Sequence, residues 1–93
     1  MYDFIKDNEF QCHAKDGRSV DLKHNRLSYR KGDHFMTIES MLLGNRVVVR
    51  RGSIRNWHPP HDQERITAAK KSEILKDVTA AMSVLGAEVE WID

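Results

Sequence analysis

A chain of 93 residues removes only about 60–65% of its unfolded surface from water on folding, which leaves room for one core. We read residues 1–93 as a single domain, and a drug-sized cavity, on the order of several hundred Å³, would consume too much of that core for a large cofactor site. The hydrophobic fraction of 40% and charged fraction of 31% describe a globular chain with a net charge of +1, well short of the basic excess usual in nucleic-acid domains.

Cys12 is the only cysteine, so no intrachain disulfide can form and a thiolate zinc site would have to be built almost entirely from histidine. The N-terminus lacks a basic segment followed by an apolar run, and no stretch of about 18 apolar residues occurs. Residence in a reducing cytoplasm, away from the membrane, is the expectation. Charge is uneven along the chain: residues 1–65 carry 12 Lys/Arg against 9 Asp/Glu, while residues 66–93 carry 3 against 5.

Turn signals cut the first two-thirds into short alternating pieces, as in a strand-rich fold. Phe10, Cys12 and Ala14 alternate, Asp16-Gly17 supplies a tight turn, and Val20 and Leu22 resume the pattern. Leu27 and Tyr29 follow, then the turn Lys31-Gly32-Asp33, then Met36, Ile38 and Leu42 in a longer run. After Gly44-Asn45, the contiguous Val47, Val48 and Val49 favour a strand with Arg46 and Arg50 on one face and Arg51 on the other. From Thr67 the period changes. Ile74, Leu75, Val78, Met82 and Leu85 form a helical stripe, with Thr67 as N-cap and Gly86 just past the end, and Lys70, Lys71, Glu73, Lys76 and Asp77 are placed in solvent. Val89 and Trp91 then alternate with Glu88 and Glu90 as a short last strand. The fold class is α+β: an antiparallel β-meander packed against one main helix in the C-terminal half, closed by a short last strand.

Chemistry-bearing constellations are few. The histidines His13, His24, His34, His58 and His61 have no metal-site spacing, so they read as surface residues, with no metal and no cofactor expected. His58, His61 and Arg55 could be drawn as a ribonuclease trio, but five histidines and eight arginines would allow that story in any arrangement, and no catalytic residues are assigned. The glycines are isolated and make no phosphate loop. Arg46, Arg50, Arg51 and Arg55 fall within ten residues, which keeps a small nucleic-acid-binding domain built on residues 46–55 as the alternative reading. In Ser53-Ile54-Arg55-Asn56-Trp57-His58-Pro59-Pro60, Ile54 and Trp57 are spaced to point the same way, and the two prolines stop the turn. This segment reads as a corner in which Trp57 plugs the end of the sheet.

The order of a meander, a valine-rich strand, Ser53-Ile54 with Trp57 and Pro59-Pro60, Ile66-Thr67 opening a helix, Gly86 and closing Val89-Glu90 resembles one family of bacterial immunity proteins. It is the family numbered 74 among those encoded beside polymorphic and contact-dependent growth-inhibition toxins, and the similarity runs from roughly Leu27 to Trp91. The resemblance implies a non-enzymatic protein that binds its cognate toxin domain and blocks the active site or the access to a target. Toxins of such systems are often nucleases, whose inhibitors tend to be acidic, whereas this chain is nearly neutral. A local acidic patch would come from Asp3, Asp7 and Glu9 or from Glu88 and Glu90. Glu88 and Glu90, together with Arg50, Arg51, Arg55 and His58, are the candidate toxin contacts, on two surfaces of opposite charge.

Overall fold

The computed structural model describes residues 4–92, so Asp3 lies outside the described residues. Seven strands form one sheet in chain order: β1 (Phe4–Asn8), β2 (Gln11–Ala14), β3 (Arg18–Leu22), β4 (Arg26–Lys31), β5 (His34–Leu43), β6 (Arg46–Arg50) and β7 (Glu88–Ile92). Strands β1 to β6 pair antiparallel, and β7 returns beside β6 in parallel. That reversal follows from α1 (Ala68–Val84), whose length carries the chain back along the sheet before β7 begins.

Local chemistry fixes the turns and the helix ends. The two-residue loop between β5 and β6 needs a positive φ, which Gly44 supplies at 64°. The Thr67 hydroxyl accepts from the Lys70 N–H at 3.2 Å and starts α1, and Gly86, at a φ of 79°, turns the chain away after Leu85. The expected alternation, helix and closing strand are therefore present. Strand β1 was not anticipated, because Phe4 is its one buried residue. Phe10, expected inward, is instead exposed: it sits in the β1–β2 turn, where its N–H donates to the Asn8 side chain at 2.9 Å, and inward alternation begins at Cys12.

One face of the sheet holds the core. Cys12, Val20, Leu27, Tyr29, Met36, Ile38, Val47 and Val49 meet Ile74, Val78, Ala81 and Met82 of α1, all of them buried. Each such aliphatic side chain contributes about 1.5–3 kcal/mol over an exposed one. Ile54 and Trp57 close one end, with the Trp57 ring stacked 6.2 Å from Tyr29.

Asp77 departs from the helical pattern. Expected in solvent, it is 8% exposed, and its carboxylate accepts from Arg18 Nη1 at 2.6 Å and from the Tyr29 hydroxyl at 2.5 Å. Arg18 Nε also donates to both Asp16 oxygens at 2.9 Å, so one guanidinium ties the β2–β3 turn to the helix. A buried charge is tolerated only with such partners, and periodicity within the helix cannot reveal a partner supplied by another strand. Burial, then the Asp77 carboxylate, push the Tyr29 phenol well above its ordinary range.

Candidate interaction surface

Helix α1 covers one face of the sheet, and the opposite face carries the residues of the other parity. On β5, β6 and β7 that open face presents a compact set of neighbours. Met41 lies opposite Val48, which lies opposite Glu90; Leu43 lies opposite Arg46, which lies opposite Glu88; Arg50 lies opposite Ile92. Met41 is 54% exposed, Leu43 52% and Ile92 45%. These large apolar side chains therefore sit in solvent, with half-buried Val48 between them.

The charges around them are mixed. Arg50 Nη1 donates to Glu39 at 3.1 Å on the same face. Sequence reading had separated an acidic pair from a basic group, but register interleaves them: Glu88 and Glu90 face Arg46 and Val48 on the adjacent strand. Glu88 and Glu90 thus share the open face with Arg46 and Arg50 and do not form an acidic surface apart from them. The cause is the parallel return of β7 beside β6, which places glutamates and arginines of equal parity on one side.

Arg51 lies in the short 3₁₀ turn Arg51–Ser53, outside this ladder. The exposed Arg55 turns its Nε back onto the Gly52 carbonyl at 2.9 Å. His58 donates its backbone N–H to the Phe35 carbonyl at 2.7 Å and sets its ring edge-on to Phe35, 4.8 Å away, near the far end of the open face. Ser53 is a joint: its hydroxyl donates to the Arg50 carbonyl at 2.7 Å and accepts from the Glu39 N–H at 2.9 Å. Pro59 and Pro60, joined by a cis peptide bond, lie in the exposed bend beyond His58. Sequence reading missed Met41, Leu43 and Ile92. The clue available was the unbroken Met41-Leu42-Leu43 run, in which alternation can hide only Leu42.

A second part of the open face, between β1 and β5, is a shallow groove of about 400 Å³ lined by Asp7, Gln11, Ser19, Asp21, Ser28, Arg30 and Phe35. The Asp7 carboxylate holds His13 Nδ1 at 2.7 Å. Asp21 pairs with Lys23 Nζ at 3.2 Å.

Two histidines expected to lie apart come together at the opposite end of the β4–β5 hairpin. The His34 and His61 rings stack with centroids 3.7 Å apart and planes at 14°. Asp33 lies at one edge of the pair, 2.9 Å from His34 Nδ1 and 3.4 Å from His61 Nε2. Glu64 lies at the other, 2.9 Å from His34 Nε2 and 2.6 Å from His61 Nδ1. The Glu64 carboxylate, aided by Asp33, raises the His34 imidazole above its usual range against the opposing effect of desolvation. Asp33 and Glu64 are both held below the ordinary carboxylate range, chiefly by their hydrogen bonds to His34.

No helix among the described residues is long and apolar enough to cross a membrane. No curated protein and no solved structure is detectably similar to the chain. One family model matches residues 19–92, from the second residue of β3 to the end of β7. That span contains α1, the arginine-bearing β6, the Ser53–Pro60 corner and all of the exposed apolar set on β5 to β7, and the chain belongs to the Immunity protein 74 family.

Proposed function

We propose that the protein neutralises one cognate toxin domain in the cytoplasm by binding it through the open sheet face at its β5–β7 end, without catalysis of its own. The observation that carries this reading is the solvent-exposed cluster Met41, Leu43 and Ile92 around Val48, rimmed by Arg46, Arg50, Glu88 and Glu90. An apolar centre with a charged rim is the anatomy of a protein interface, whose energy concentrates in a few desolvated anchors. Family membership supplies the partner's class, since immunity proteins act on toxins.

The mixed rim argues against imitation of nucleic acid by a block of negative charge, so the reading does not require the toxin to be a nuclease. It also weakens the nucleic-acid alternative. Arg50 is paired with Glu39, Arg46 faces Glu88, and Arg55 is turned onto a backbone carbonyl, so these three arginines do not line up as a continuous basic track for phosphates.

A toxin held in check at a few copies per cell calls for nanomolar affinity, roughly −12 kcal/mol. The test pairs Met41→Asp with Leu43→Asp in one variant, checked for native circular dichroism, then measured for toxin binding and for rescue of toxin-expressing cells. The expected result is a loss of affinity of at least about 100-fold, in line with losing two anchors, and loss of rescue. Nanomolar binding by the folded double variant would sink the assignment of this face.

A further inference from the structure

We propose that Asp33, His34, His61 and Glu64 form a binding site for a divalent first-row transition ion, with zinc as the leading occupant. The ion would clip residues 51–67 to the β4–β5 hairpin.

The donors come from two segments far apart in sequence, the hairpin turn at Asp33-His34 and the irregular segment at His61 and Glu64. One donor atom each from Asp33, His34 and His61 lies within 4.8 Å of the others. Ligand atoms about 2.0–2.2 Å from a tetrahedral zinc are roughly 3.4 Å from one another, so small side-chain movements close the set. The two rings must tilt out of their 14° stack so that both lone pairs converge on the ion.

The ligand types, two imidazoles and a carboxylate, suit zinc and its neighbours and not calcium or magnesium, which prefer oxygen alone. At the Asp33 edge the ligands would be His34 Nδ1, His61 Nε2 and an Asp33 oxygen. Glu64 then holds the far nitrogen of each ring, at 2.9 and 2.6 Å, the outer carboxylate that commonly orients a zinc-bound histidine. The Asp33 side chain is 83% exposed, which leaves the remaining position to water and gives the ion a way in.

The surroundings supply a built-in reporter. The Trp57 ring meets the His34 ring edge-on at 5.0 Å, so an ion on His34 alters the environment of a buried tryptophan. The site lies away from the Met41–Ile92 surface and does not depend on the toxin-binding reading.

Untagged protein titrated with zinc chloride is the experiment, with magnesium as the control ion and binding followed by calorimetry and by Trp57 emission in a Trp91→Phe background. One zinc per chain, a raised melting temperature and no response to magnesium are expected. Cobalt(II) should show the visible absorption of a four-coordinate site. His61→Gln should abolish both signals, and Glu64→Gln should weaken binding by about 10–100-fold, as loss of an outer carboxylate does. His24→Gln, at a histidine outside the cluster, should bind like the wild type. If His61→Gln fails to fold, Asp33→Asn decides the same point, because so exposed a side chain can be changed without disturbing the core. Absence of saturable one-to-one zinc binding, or wild-type binding by Asp33→Asn or His61→Gln, overturns the proposal.

Discussion

The Asp77 carboxylate takes the Arg18 guanidinium on one oxygen and the Tyr29 hydroxyl on the other, so removing it takes the acceptor from the buried Tyr29 hydroxyl and from Arg18 Nη1, while Arg18 Nε keeps Asp16. Breaking a buried pair from one side costs about 3–5 kcal/mol. Asp77→Ala should therefore lower unfolding stability by that order in denaturant titrations, and a cost below about 1 kcal/mol would place the pair with weak surface bridges. Cys12 makes a second residue-scale prediction. Burial first, and the nearby Asp7 charge second, push its thiol up to about 11 from an ordinary 9.0. Between those values the unfolded thiol ionises while the folded one stays protonated, so stability falls as pH rises from about 9 to 11. Cys12→Ala should flatten that part of the curve relative to wild type, after its own pH-independent packing loss is subtracted, and an unchanged slope would deny the shift. Both residues show where reading the sequence stops. Cys12 was legible as a small buried hydrophobe, whereas the burial of Asp77 depends on Arg18 from a strand 59 positions away.

Among elements, the helix was the most legible because its evidence is repeated every turn. Ile74, Val78 and Met82 are all buried, while Lys71 is only partly covered and Lys76 is exposed. Val78→Asp should unfold the domain, since a carboxylate there finds no water and no partner. Lys71→Glu should change stability by no more than about 0.5 kcal/mol. Thermal unfolding of the two variants separates these outcomes, and similar melting temperatures would mean that α1 does not pack by this stripe. The turns were legible for a different reason: Gly44 occupies a backbone conformation that few other residues tolerate. Strand β1 was not, because a five-residue edge strand with one inward side chain leaves no periodic trace. The parallel pairing of β7 also left none. Alternation tells which residues share a face, not which neighbour the strand joins, and the histidine pair was hidden for the same reason, since its closeness arises from chain geometry between the hairpin and the proline bend.

For the whole molecule, the decisive asymmetry is a seven-stranded sheet with a helix on one face only. Covering that face satisfies the core, and the other is free to be an interface, with exposed apolar side chains on β5 and β7 and charges of both signs between them. Two surfaces of opposite charge would have predicted that reversing one sign abolishes protection and reversing the other does not. Interleaving predicts something else. Glu88→Lys with Glu90→Lys leaves four positive side chains together with Arg46 and Arg50, and Arg46→Glu with Arg50→Glu leaves four negative ones. Each variant acquires a block of one sign, and neither touches the apolar centre. Rim charges act mainly on the rate of encounter, so each variant should shift affinity by about 10-fold or less, in opposite directions if the toxin carries net charge, and should sharpen the dependence on ionic strength. The wild type should bind almost independently of salt, because its rim is nearly neutral. Stopped-flow association and equilibrium titration at low and moderate ionic strength measure both quantities. A loss beyond about 100-fold from either charge pair, with the dissociation rate carrying it, would make those charges desolvated anchors. The centre of the interface would then move from Met41 and Leu43 to the β6–β7 ladder.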